Sequence, residues 1–215
     1  MKRWAILVAG LYCLILAAET VPVILLAFFP TEIKGAVRAY SEWAYWVWLL
    51  VMFLGQATLL SVPVRVASRR PVSRRGLLPT VLACGFMMGG LVAGALCTLW
   101  EFAFPKVEGR WVPWTLLGVM ALTWCVWSLI FMRLGRTEAP ADLVSRQCRR
   151  LFKGSILELL VAVPMHIAVR QRNDCCAGIM TFIGLVTGMS VMLFSFGPAV
   201  FFLFVARWKR LHPAE

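Results

Sequence analysis

The sequence predicts an all-α, polytopic integral membrane protein, and three observations carry that prediction. Of its 215 residues, 61% are hydrophobic and 15% charged, against roughly 45–50% and about 25% in soluble domains. The apolar residues fall in blocks long enough to cross a bilayer, which takes about 20 residues of helix. The basic residues fall between those blocks, in short tracts. One membrane domain accounts for the whole length and leaves no stretch for a second, soluble one.

The first apolar segment, residues 4–29, follows Lys2-Arg3 and continues past Glu19 to Phe29 before Pro30 ends it. That is longer than the core of a secretory signal needs, so it reads as an uncleaved helix. The second, residues 42–64, opens with Trp43, Tyr45, Trp46 and Trp48, an aromatic belt of the kind that sits at a membrane interface. A loop over 65–76 with five arginines leads to the third segment, 77–104. The link 105–110 is short, so the fourth segment, 111–134, pairs with the third as a helical hairpin. The fifth, 152–169, is apolar but holds Lys153, Glu158, Pro164 and His166. The sixth, 177–206, is apolar throughout and ~45 Å long as helix, more than the hydrocarbon thickness. Gly197-Pro198 inside it predicts a kink or break.

Lysine and arginine set the orientation. With the N-terminus inside, the first four segments place thirteen basic residues inside and four outside, which puts the N-terminus in the cytoplasm by the positive-inside rule. A protein of the cell inner membrane fits this layout. Five or six helices follow, depending on whether 152–169 crosses or lies in the interface. The six-helix count places sixteen basic residues inside and six outside, the five-helix count fifteen and seven. The first has Arg207, Lys209 and Arg210 on the cytoplasmic side.

The net charge of +12 does not indicate nucleic acid. The basic tracts lie between apolar blocks, as expected of loops held at an anionic leaflet, and no basic stripe with interleaved aromatics is present. The partner the sequence specifies is the lipid bilayer. Small residues at spacing four, Gly85, Gly89, Gly90 and Gly94 in the third segment and Gly184 and Gly188 in the sixth, permit close helix contact. Packing within the bundle is the first reading of these faces; a membrane-protein partner or a second copy of the chain is the other.

Polar residues close to lipid are costly and mark the candidate chemistry. Glu158 and His166, eight apart, share a helix face, and Arg170 extends the stripe. Pro164 frees the carbonyl of Leu160 beside them. These are ion- or proton-coupling candidates, together with Glu19, which lies deep in the first segment opposite Gln56. A carboxyl at such depth must be protonated, paired or facing a polar cavity. The adjacent Cys175 and Cys176 form a second constellation. With His166 and Asp174 they could hold a soft metal ion, and Arg170 and Arg172 would favour their thiolates. The other five cysteines read as small hydrophobes, except Cys148, expected near water with the pair.

With only His166 and His212 as histidines, a haem held between two helices is disfavoured. No Walker, GxGxxG, HExxH or GxSxG motif is present. Three functions remain: a small protein that transports or handles an ion or soft metal, a membrane thiol/redox enzyme using Cys175-Cys176, or a structural or assembly subunit of a larger membrane complex.

Overall fold

The computed structural model describes residues 43–67, 74–104, 112–137, 139–172 and 178–211. Five long helices account for nearly all of these: α1 (Trp43–Ala67), α2 (Leu78–Ala103), α3 (Val112–Thr137), α4 (Pro140–Arg170) and α5 (Ile179–Leu211), with a 3₁₀ turn at Arg74–Leu77 before α2. No strand occurs among the described residues. Four helices are long and apolar enough to cross a membrane, the spans being Leu78–Ala103, Trp114–Arg136, Asp142–Arg170 and Ile179–Phe196. The fold is an all-α, multi-pass membrane fold.

The chain divides into two compact units, Met1–Leu54 and Gly55–Glu215. The described part of the first is the opening of α1, where Trp43 and Trp46 are exposed, as an interfacial belt requires. The first apolar segment and Glu19 lie outside the described residues.

The second unit is inside-out relative to a soluble protein. Leu122, Leu157 and Leu160 are 66%, 66% and 67% exposed, while Glu158 is 5% exposed and Gln147 fully buried. Lipid explains this: apolar side chains lose nothing by facing acyl chains, whereas polar groups there would lack partners.

Glycine sets the helix spacing. Each glycine inside a helix costs about 1 kcal/mol of helix propensity relative to alanine, and α2 carries four. Gly85 lies against Ser128 and Trp124, and Gly89 against the Met120 carbonyl, where a Cβ would stand only 2.9 Å from the oxygen. These contacts run α2 antiparallel to α3. Trp124 adds an Nε1 hydrogen bond to the Leu82 carbonyl at 3.0 Å and an edge-to-face contact with Phe86. On the other side Gly90 and Gly94 meet Thr187 and Gly184 of α5. The glycine faces are therefore occupied within the chain.

Contacts between α4 and α5 fix an antiparallel register: Phe152 with Phe196, Glu158 with Gly188, His166 with Thr181. The α2–α4 contacts, Leu91 with Gly154 and Gly94 with Glu158, run parallel. The ends of α2 and α4 reach the same level, because both meet the start of α5. By length and composition α4 is long and apolar enough to cross a membrane over Asp142–Arg170, as α2 is over Leu78–Ala103.

Three sequence expectations change. The basic tract before residue 152 is helix from Pro140 onward, not loop. Proline in the first turn with Asp142 beside it suits a helix start. Arg146, Arg149 and Lys153 then point outward while Leu143, Val144, Gln147 and Leu151 point in, so the charges are one face of an amphipathic helix. Cys148 goes inward with them and is buried rather than near water. Finally, α5 runs through Gly197-Pro198 without a break. Pro198 has no N–H for the Phe194 carbonyl one turn back, and Gln56 Nε2 of α1 donates to that carbonyl instead. Gly55 beside it leaves room for the Phe194 ring.

Candidate functional site

Two carboxyls lie in the seam where α2, α4 and α5 meet, and their surroundings differ. Glu158 comes from the inward face of α4, one turn after Ser155 and one before Ala162, both fully buried. Neither carboxyl oxygen has a hydrogen-bond partner among the described residues. Its neighbours are glycines: a Cβ on Gly94 or Gly184 would stand 3.1 or 3.2 Å from Oε1, and one on Gly188 would overlap the carboxyl itself. The small-residue motifs thus do more than bring helices together; they form the seat of the acid.

The polar atoms beside this seat are acceptors. Thr98 Oγ and the Gly94 carbonyl crowd the same side of Gly184 as Glu158 Oε1. The Thr98 hydroxyl donates to the Gly94 carbonyl at 3.0 Å, and that of Thr187 donates to the Ile183 carbonyl at 2.8 Å. Both hydroxyl protons are thereby committed to backbone oxygens. A bare carboxylate accepts hydrogen bonds and donates none, so this seat gives it nothing. Among the described residues the carboxyl is therefore left without a donor, an arrangement that costs free energy for a bare charge.

The other carboxyl, Glu101, ends α2 and was not among the residues singled out from the sequence. Its Oε1 accepts from the Gly178 N–H at 2.8 Å and its Oε2 from the Thr181 N–H at 2.6 Å. These are free donors at the start of α5, where an anion is favoured. Gly178 takes φ +99° there, a conformation that favours glycine, and the Arg170 side chain packs against it. In return, Arg172 Nη1 and Nη2 donate to the carbonyls of Glu101 and Phe102 at 3.1 and 2.9 Å, closing the C-terminus of α2, with the guanidinium 5.6 Å from the Phe102 ring. The signal for Glu101 in the sequence is an acid in the last turn of an apolar segment, which resembles an ordinary segment end.

His166 belongs to this end cluster. Its Nδ1 lies 2.9 Å from Thr181 Oγ, whose hydroxyl donates to the Gly178 carbonyl at 3.2 Å. The ring therefore donates from Nδ1 in this arrangement. Glu158 is about 12 Å of helix rise away, so the two share a face without touching. The expected polar line is otherwise shortened and redirected. Arg170 is exposed, and its side-chain methylenes pack on Gly178. Pro164 and Leu160 face outward, so the carbonyl freed by the proline is not beside Glu158. Arg172 serves the end of α2. Asp174, Cys175 and Cys176 lie outside the described residues, among which no cluster of three metal-ligating side chains occurs.

Four polar residues share one face of α4, with Leu151 and Ala162 buried between them. Gln147, Ser155, Glu158 and His166 occupy about 100° of arc on α4 and about 28 Å of its length, close to the hydrocarbon thickness. The first three are buried and His166 is half-buried. Gln147 has no hydrogen-bond partner for either amide atom among the described residues. Glu158 lies near the middle.

No family model matches this chain, and neither the curated proteins nor the solved structures contain a match.

Proposed function

We propose that this chain is a small multi-pass protein that handles a cation within the membrane, with Glu158 as the group that carries it. One observation bears the reading: a deeply buried carboxyl whose two oxygens meet no donor and whose seat is built from three glycines on two other helices. Buried polar atoms in membrane bundles are normally satisfied, and an intramembrane acid marks ion or proton pathways. Further support comes from the polar residues that share one face of α4 and from the near-central position of Glu158, where transporters commonly place ion sites. Oxygen rather than sulfur lines this seat, which suits a hard cation over a soft metal. The orientation that goes with the proposal has the N-terminus in the cytoplasm of a cell inner membrane, on the distribution of basic residues.

The test is cation flux in liposomes containing the purified protein. Glu158→Gln keeps the size of the side chain and removes its charge. The expected result is wild-type flux at least tenfold above protein-free liposomes, lost in Glu158→Gln. Equal flux in the two proteins, or none in the wild type for protons, sodium or potassium, overturns the proposal.

A further inference from the structure

We infer that the cation taken by Glu158 is the proton itself, an inference that rests on the cation-handling reading above. Three features of the seat converge on it. The first is the polarity of the neighbours. A protonated carboxyl needs one acceptor for its O–H, and the Gly94 carbonyl and Thr98 hydroxyl crowd the same point as Glu158 Oε1.

The second feature is space. A metal cation must replace its water shell with several oxygens, six or more for calcium and six for magnesium. The space beside Gly184 that Glu158 Oε1 borders is already shared by Thr98 Oγ1 and the Gly94 carbonyl oxygen, which are hydrogen-bonded to each other. Gly94, Gly184 and Gly188 are backed against the carboxyl. A proton needs no coordination shell and adds almost no volume.

The third is charge. The elements packed on Glu158 present Gly94 and Thr98 from α2 and Gly184, Thr187 and Gly188 from α5. None of these side chains carries charge. Cys97 on α2 is buried and uncharged as a thiol. The titratable groups that follow along the seam, Glu101 and His166, are bound to the start of α5. One proton leaves the seat neutral, whereas a divalent ion would leave an uncompensated positive charge.

In the proposed cycle the carboxylate takes a proton from water on one side of the membrane and becomes a neutral acid. It returns the proton to water on the other side. The atoms balance with water as donor and acceptor, and no further reactant is needed.

The experiment uses proteoliposomes holding a pH-sensitive dye, in choline buffer free of sodium and potassium, given a step in external pH. Expected is collapse of the step at least tenfold faster than in protein-free vesicles, a return to the protein-free rate in Glu158→Gln, partial rate in Glu158→Asp, and no change when sodium or potassium is added. Sodium or potassium flux that depends on Glu158 without proton movement overturns the proton and leaves cation handling intact; absence of all three fluxes overturns both. Infrared spectra of the wild type in lipid give a measure independent of transport. The carbonyl stretch of a protonated carboxylic acid is expected in the wild type and missing in Glu158→Gln. Identical spectra overturn the inference.

Discussion

Glu101 and Glu158 are the same side chain in the same seam, and the chain treats them in opposite ways. Glu101, at the end of α2, is met by two backbone N–H groups within 2.8 Å. Glu158, near the middle of α4, is met by glycines and by no donor among the described residues. A carboxylate that gains charge-assisted hydrogen bonds at a helix start contributes stability. One that gains none is a cost to the fold. The first carboxyl ties helices together; the second has no hydrogen-bond partner among the described residues.

That contrast can be broken by substitution. The largest effect belongs to Glu158→Gln, which should cut cation flux by tenfold or more while the protein still elutes from detergent size-exclusion chromatography as wild type does. Gly188→Ala comes next, because the added methyl overlaps the Glu158 carboxyl. Overpacking of this kind costs about 1–3 kcal/mol, to be read as a lower melting temperature in detergent, with flux falling as well. Glu101→Ala should cost about 1–2 kcal/mol by leaving the Gly178 and Thr181 N–H groups unmet, with flux per folded molecule within about twofold of wild type. If Glu101→Ala instead abolishes flux without loss of stability, the two acids have been assigned the wrong way round. The smallest effect is that of Gln56→Leu. It removes the donor to the Phe194 carbonyl and should cost about 1 kcal/mol, visible in thermal denaturation and leaving flux unchanged.

The fold class was legible because lipid imposes a composition that soluble domains do not share, and the segments at 77–104 and 111–134 agree with α2 and α3 to within about three residues. Glu158 and His166 were legible as polar residues in an apolar run. Their relation was not, since sharing a face does not bring residues two turns apart into contact. Glu101 was missed because its partners, Gly178 and Thr181, are about eighty residues away in the chain. The glycines were readable as close-packing positions, but that three of them enclose one carboxyl is a property of three helices meeting. The start of α4 was misread because a run containing Arg146, Arg149, Arg150 and Lys153 looks like a loop until its apolar positions are seen to recur at helical spacing.

The most direct test of the contrast is the melting temperature of Glu158→Gln beside that of Glu101→Gln, each against wild type in the same detergent. An acid held for function gives a Glu158→Gln protein as stable as wild type or more so, while Glu101→Gln melts lower. A Glu158→Gln protein that melts well below wild type, with Glu101→Gln unchanged, would mean that Glu158 is the acid holding the bundle together, and the account would be wrong at its centre.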